Sequence, residues 1–161
     1  MDIALIFTEH GDFDVDIRDR DLVGDESPIT PITISLYTDR AAKPDDSLPS
    51  FMPGQKVDRR GWWGDLIRDD GRVSPIGSRL WLLSREKELR ATVDRAQEYA
   101  VEALDWIRAE QGTYAIAASD GGRGRLLFEG AAKLSGARER TSKWTAFIDV
   151  TKPSKITPMG G

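Results

Sequence analysis

The sequence predicts an α+β fold, in which one long helix and shorter helices pack on a small antiparallel sheet that follows an N-terminal β-hairpin. Residues 89–110 place apolar side chains at alternating steps of four and three, which indicates an amphipathic helix. Residues 113–150 hold three strand-like runs separated by turns, and residues 3–17 hold two shorter ones. Helical and strand-forming segments are therefore segregated along the chain, as is typical of α+β proteins.

Composition limits the class of protein. The chain has 161 residues, of which 31% are charged and 39% hydrophobic, so we expect one globular domain over 1–150 and an extended or disordered tail over 151–161. A net charge of −4 argues against nucleic acid as a partner, because phosphate binding needs a basic surface. With no cysteine, disulfides and thiolate chemistry are excluded. No signal peptide or membrane span is expected, so we predict synthesis in the cytosol.

The first strands are predicted over 3–8 and 13–17, joined by a turn at 10–12. Phe13, Val15 and Ile17 alternate with three aspartates, and such acids at every second position suggest a calcium loop. That loop needs glycine at its sixth position and glutamate at its twelfth, where this chain has Ile17 and Val23. We therefore predict a solvated strand face and no metal site.

Residues 27–42 fit a helix and a strand equally well. The run Ile32–Tyr37 is β-branched and favours a strand. Against this, Ser27 and Pro28 suit the N-cap and first position of a helix, on which Ile29, Ile32 and Leu36 share one face. Local sequence leaves the choice open.

The stretch DRRGWWGD at 58–65 has the most unusual composition in the chain. Two adjacent tryptophans lie between glycines, and Arg59 and Arg60 precede them. Either a tight turn places Trp62 and Trp63 in the core, or the pair forms a docking site, since Trp and Arg dominate interface hot spots. Both interpretations remain open at this point.

Further helices are predicted from 79 to 85, capped by Ser78, and from 89 to 110, ended by Gly112. The seam of the long helix suits an ordinary helix packed on its own sheet or a coiled coil shared with another chain. A three-stranded meander follows, with strands at 113–118, 125–134 and 144–150. Its two edges invite pairing with other chains, and the last strand carries Trp144 and Phe147.

No catalytic, cofactor or metal site is predicted, and we expect the protein not to be an enzyme. The glycines at 121–124 lie between strands, where a hairpin turn explains them better than phosphate binding. Two carboxylates suffice for a glycosidase, and Asp65 with Asp69 or Asp70 beside the tryptophans is the candidate pair. A carboxylate-dependent peptidoglycan hydrolase is therefore the alternative hypothesis.

The runs DRRGWWGD and IGSRLWLL, with the Ala-rich helix after them, resemble the baseplate proteins of Mu-type phages and prophages. The resemblance extends from about Asp2 to Val150. That family is similar in turn to the sheath-initiator wedge proteins of contractile tails, sometimes labelled lysozyme-like. The resemblance implies a helix at 28–40, no cofactor, and a place in the tail baseplate of the virion after assembly in the host cytoplasm.

Partners follow from the same resemblance. The first helix is expected to join helices from two copies of a larger wedge protein in a core bundle, and the C-terminal sheet to pair with strands of the tail sheath protein and so initiate sheath assembly. Neighbouring baseplate or hub subunits are further expected partners. Sheath initiators carry Glu-Pro-Arg where the long helix meets the sheet, whereas this chain has Ala-Glu-Gln-Gly at 109–112. The residues expected to bind partners are Ile29, Ile32, Leu36, Arg59, Arg60, Trp62, Trp63, Trp144 and Phe147.

Overall fold

A computed structural model describes residues 2–7, 13–49, 58–66, 75–84, 89–134, 140–149 and 156–158. Short strands come first: β1 Asp2–Ile3, β2 Leu5–Phe7, β3 Phe13–Val15, β4 Ile17–Arg18, β5 Asp21–Leu22 and β6 Gly24–Asp25. Helix α1 is Ile29–Tyr37, followed by 3₁₀ helices at Trp63–Leu66 and Leu80–Leu83, α2 Leu89–Leu104 and α3 Trp106–Ala109. The last strands are β7 Thr113–Gly122, β8 Arg125–Leu134, β9 Arg140–Asp149 and β10 Ile156–Pro158. The α+β prediction is confirmed.

The N-terminal strands form three small antiparallel ladders, of which β2 with β3 is the predicted hairpin. In addition, β1 pairs with β6 and β4 with β5, which the sequence did not indicate. The ladders meet where Ala4 accepts from the Asp16 N–H at 2.9 Å and donates to the Val23 carbonyl at 2.8 Å. The Val23 N–H in turn donates to the Asp16 carbonyl at 2.9 Å. The backbone thus changes its pairing partner at Ala4: β1, before it, pairs with β6, and β2, after it, pairs with β3.

Helix α1 settles the ambiguity at 27–42 in favour of the helix. The Asp25 carboxylate accepts the N–H groups of Ser27 at 2.7 Å and Thr30 at 3.0 Å, so Asp25 caps a helix whose N-cap position is Pro28. Burial alone would raise the Asp25 pKa, but these hydrogen bonds hold the pKa below its usual value. Burial of Ile32 and Leu36 in the core outweighs the poor helix propensity of this β-branched run.

The core lies between α2 and the four-stranded antiparallel sheet, whose strand order is β10-β9-β8-β7. Phe128, Leu83, Leu104 and Ile107 are its largest fully buried apolar side chains. The predicted long helix is divided at Asp105 into α2 and α3, and Gly112 follows, donating to the Ile107 carbonyl at 2.8 Å. The seam alanines at 96, 100 and 103 are buried inside this chain, which supports the interpretation of an ordinary helix packed on its own sheet.

Strands β7, β8 and β9 form the predicted meander. Strand β8 has the predicted bounds, whereas β7 continues past residue 118 to Gly122 and β9 begins at Arg140, before the predicted residue 144. The predicted helix at 79–85 is a 3₁₀ turn over Leu80–Leu83. Its N-cap residue is Arg79, and the hydroxyl of Ser78, the predicted cap, accepts the Leu80 N–H at 3.4 Å. Within the tail, β10 pairs with β9. None of the described helices is long and apolar enough to cross a membrane.

Candidate protein-interaction sites

The turn before the tryptophans is left-handed at two successive residues. Arg60 has φ 47° and Gly61 has φ 99°, and only glycine adopts the second conformation readily. A Cβ on Gly61 would also lie 2.8 Å from the Cβ of Ala41. The turn therefore packs its backbone against residue 41 and directs the following 3₁₀ helix outward.

Trp62 and Trp63 both lie at the surface, with exposed fractions of 41% and 69%. Their ring centroids are 5.6 Å apart at an interplanar angle of 49°. The Trp62 ring covers Gly64, where a Cβ would approach the ring to 2.3 Å. Burial of the pair in the core, one of the two interpretations left open by the sequence, is therefore wrong. The exposed pair, which we call the Trp platform, is an apolar surface of the kind that proteins use for docking.

Arg59 and Arg60 are used within the chain. Arg59 donates to the carbonyl oxygen of Lys43, and Arg60 forms an ion pair with Asp39. The Arg60 guanidinium also stacks 4.9 Å from the ring centroid of Trp81. These contacts fix the Trp platform to the segment after α1, so the two arginines position it.

The second family-like run, at 76–83, clamps α1 to the rest of the core. Gly77 has φ 93°, and a Cβ there would lie 2.5 Å from the carbonyl oxygen of Thr38. The Ser78 hydroxyl donates to the Leu36 carbonyl at 2.8 Å, and its N–H donates to the Thr38 carbonyl at 2.9 Å. Trp81 donates its indole N–H to the Arg40 carbonyl at 2.8 Å.

Arg79 forms the centre of an ionic cluster joining three segments. Its Nη1 lies 2.7 Å from Asp46 and its Nε 2.7 Å from Glu102 on α2, and Lys43 lies 3.0 Å from Glu102. The guanidinium also lies 4.4 Å from the Tyr99 ring centroid. Burial opposes ionisation in the cluster, yet hydrogen bonds and opposite charges lower the pKa of both carboxyls and raise that of Arg79. The cluster therefore stays ionised and ties the 40–49 loop to α2.

The apolar stripe on α1, formed by Ile29, Ile32 and Leu36, was expected to contact partner helices, but it faces the core of this chain. Ile32 and Leu36 are each only 2% exposed, because both pack in the core of this chain, and Ile29 is half-buried. The expectation that Ile32 and Leu36 contact partner helices directly is therefore corrected: apolar periodicity marks a buried face but does not say which chain buries it. The large apolar side chain exposed on α1 is Ile34, at 40%.

Other exposed aliphatic side chains belong to the N-terminal ladders. They are Ile3, Ile6, Ile17 and Leu22. Together with Ile34 and the Trp platform they complete the set of large exposed hydrophobic residues in the described ranges. Among the described residues, these large hydrophobic side chains of the exposed class all lie in the first 63 residues, and none of them belongs to α2 or the large sheet.

Trp144 and Phe147 lie on opposite faces of β9. Trp144 packs against the core with its ring over Gly130 of β8, where a Cβ would approach the ring to 2.3 Å. Phe147 is half-buried on the outer face beneath the Arg125 guanidinium, 5.2 Å from the ring centroid. Trp144 is thus mainly a core residue, whereas Phe147 lies on the surface of the sheet.

The two long edges of the large sheet differ. On β7 the Gln97 side chain of α2 donates to the Ile116 carbonyl at 2.8 Å and accepts the Ala118 N–H at 2.7 Å. On β9 the short β10 pairs with residues 146–148. Sequence reasoning missed Gln97, because a single polar residue beside a buried helical stripe gives no signal of its target.

The carboxylates proposed for hydrolysis are only partly described. The Oδ1 atom of Asp65 accepts the Ile76 N–H at 3.3 Å, which gives this carboxylate a structural contact. Asp69 and Asp70 lie outside the described residues. The part of the candidate pair that the structure describes, Asp65, therefore gives no support to the hydrolase alternative.

Comparison with known proteins identifies the family. The chain is 50% identical over 107 residues to the baseplate protein gp46 of Escherichia phage Mu, covering 66% of this chain and 68% of that one. It is 36% identical over 106 residues to the Mu-like prophage FluMu protein gp46 of Haemophilus influenzae, covering 66% and 65%. The family model described as phage protein GP46 matches residues 28–135, from the start of α1 to the end of β8. The resemblance to Mu-type phage and prophage proteins is confirmed, and the chain belongs to the GP46 family of phage proteins.

Proposed function

We propose that this chain is a structural subunit of a contractile phage-tail baseplate and acts by binding neighbouring proteins. The observation that carries the proposal is the 50% identity to the Mu baseplate protein. The exposed Trp platform supports it, because a pair of surface indoles is costly unless a partner covers it. The location that follows is the tail baseplate of the virion, with assembly in the host bacterial cytoplasm.

Within the baseplate we propose two contacts: α1 joins helices of a larger wedge protein, present in two copies, and the C-terminal sheet pairs with strands of the tail sheath protein to initiate the sheath. The α1 contact uses the outward Ile34 rather than the buried pair Ile32 and Leu36. Because α1 has only nine residues and β-branched composition, partner helices would add burial that it lacks. Neighbouring hub subunits are the remaining proposed partners.

The test is complementation of tail assembly. Phage or prophage particles lacking this chain are expected to form no sheathed tails, and supplying the wild-type chain restores them. Ile34→Asp is expected to leave folding unchanged and to reduce incorporation of this chain into baseplates about tenfold, since a charge would be buried in the helical contact. Ile34→Leu is the matched control and should assemble normally. Sheathed tails of normal yield in the absence of this chain would contradict the proposal.

A further inference from the structure

We propose that the outer edge of β9 is where this chain accepts a strand from another protein, and that its own β10 is a provisional occupant that the incoming strand displaces. This inference rests on the proposed baseplate function and specifies which sheet edge, and which part of it, performs the strand pairing. The described edges of the large sheet offer two candidates, β7 and β9, and the geometry separates them.

The outer edge of β7 already forms hydrogen bonds with a side chain of α2. Both hydrogen bonds of Gln97 fall on neighbouring outward backbone groups of β7, so one side-chain amide takes the place of a pairing strand there. Tyr114, further along β7, donates its hydroxyl to the Val101 carbonyl of α2 at 3.0 Å. Helix α2 therefore lies along this strand, and an added strand would have to break both Gln97 bonds.

The β9 edge is only partly occupied. Strand β10 pairs three residues, Ile156, Thr157 and Pro158, with Ile148, Phe147 and Ala146. By contrast, the inner edge of β9 pairs with β8 over its full length, from Arg140 to Asp149. Among the described residues no strand pairs with the outer edge of 140–145. Proline at 158 has no N–H to donate, so β10 is a weak competitor for this edge.

The short length of β10 also identifies the occupant. A tail exchanged between two copies of this chain would form the same three-residue ladder, so exchange gains no pairing. A foreign strand covering 140–149 would pair up to the whole of β9 and would outcompete β10 through additional backbone hydrogen bonds. We therefore commit to a strand of a different protein, longer than β10 and free of proline.

Side chains on β9 define the chemistry of that strand. Trp144, Ala146 and Ile148 face the core, and the indole N–H of Trp144 is buried without an acceptor among the described residues. Thr141, Lys143 and Thr145 are exposed on the other face. The incoming strand should therefore alternate apolar residues beside the core face with polar ones on the other, including an acidic residue near Lys143.

A reversible lock on β10 tests the inference. The chain has no cysteine, so Phe147→Cys with Thr157→Cys, a pair of directly opposed residues, creates one possible disulfide within the full-length chain. Oxidised, the locked chain should enter baseplates and sheathed tails at least tenfold less than the same chain after reduction. A thermal melt of the oxidised chain shows that it is folded. Equal incorporation of the oxidised and reduced forms would overturn the inference.

Controls separate this outcome from failure of the proposed function. Ala117→Cys with Glu129→Cys locks β7 to β8, which do not separate, and should assemble normally in both redox states. If the wild-type chain itself is not needed for tails, the proposed function fails and the inference with it. If the wild type assembles and both oxidised double-cysteine variants also assemble, the proposed function stands and only the inference fails. A disulfide formed between two copies would show tail exchange and overturn the chosen occupant.

Discussion

The two described segments that contain the family-like runs, 58–66 and 75–84, have opposite environments. In the first, Trp62 and Trp63 lie on the surface. In the second, Leu80, Leu82 and Leu83 are buried, and Trp81 is half-buried with its indole N–H bonded. Both segments contain glycine at positive φ, arginine and tryptophan, so composition does not distinguish them.

The two segments differ in how many hydrogen-bond and ion-pair partners lie close to their backbone and side chains. The 75–84 segment lies beside the open carbonyl groups that follow α1, and Ser78, Arg79 and Trp81 each bond to them or to the ionic cluster. The 58–66 segment is held from one side by Arg60 and Gly61, which leaves its indoles facing solvent. We therefore propose that 75–84 serves stability and 58–66 serves binding.

The largest expected effect on stability is that of Gly77→Ala. The new Cβ would meet the Thr38 backbone at 2.5 Å in a conformation with φ 93°, so unfolding free energy should fall by about 3 kcal/mol or more. Gly122→Ala is the matched control: φ is 71° but nothing lies within 4 Å, so strain alone should cost about 1 kcal/mol. Urea denaturation measures both. Equal losses of unfolding free energy in the two variants would show that close packing of Gly77 against Thr38 adds nothing to stability.

Next is Arg79→Met, which removes the shared cation of Asp46 and Glu102. We expect a loss of about 2–3 kcal/mol at pH 7, because two partly buried carboxylates lose their main partner. Both carboxyls have lowered pKa values in the folded chain, so the stability they contribute is present above their unfolded values of 3.8 and 4.5 and is lost as pH falls through the folded values.

The difference in stability between the wild type and Arg79→Met should therefore shrink below about pH 4. Thermal melts at a series of pH values measure it. A difference that stays constant down to pH 2 would show that the cluster does not act through its charges. Arg108→Met is the control, since Arg108 makes an exposed pair with Asp105 and stacks 4.9 Å from the Tyr114 ring centroid, and loss of such surface contacts should have only a small effect at any pH.

A smaller loss is expected for Trp81→Phe. An aromatic ring that can stack with Arg60 remains, but the hydrogen bond from the indole to the Arg40 carbonyl is removed, and about 1 kcal/mol of stability should be lost with it. Differential scanning calorimetry should show a melting temperature a few degrees lower. No change would mean that solvent replaces the indole at this carbonyl.

The smallest effect on stability, and the largest on assembly, is expected for Trp63→Ala. A side chain 69% exposed contributes little to folding, so the unfolding free energy should stay within about 0.5 kcal/mol. Incorporation into baseplates should nevertheless fall, because a truncated hot-spot indole costs on the order of 2 kcal/mol or more in binding. A lowered melting temperature with intact assembly would reverse the assignment of the two segments.

Much of the fold could be predicted from local pattern. The long helix and the meander follow from periodicity, because burial on one face leaves a regular apolar repeat. Helix α1 required the family resemblance, since Asp25, the carboxylate that caps it, lies two residues before Ser27, the predicted N-cap. The N-terminal ladders beyond the first hairpin consist of two-residue strands, which are too short to produce a period.

The interaction surfaces were harder to predict, for a physical reason. On α1, Ile32 and Leu36 are buried, Ile29 is half-buried and Ile34 is exposed. Only the three-dimensional packing shows which face of the helix the rest of the chain covers. Likewise Arg59 and Arg60 were expected at an interface, yet their partners lie 16 and 21 residues away within the chain. Long-range pairing of this kind leaves no local trace.

The double hydrogen bond of Gln97 has a mechanical consequence. A slide of α2 by one helical turn, about 5.4 Å, would strip both bonds from β7 and leave two strand groups without partners. Gln97 therefore fixes the position of α2 along β7, and a sliding motion between helix and sheet must first break both bonds. In an assembly that bears load, this chain would behave as a stiff link.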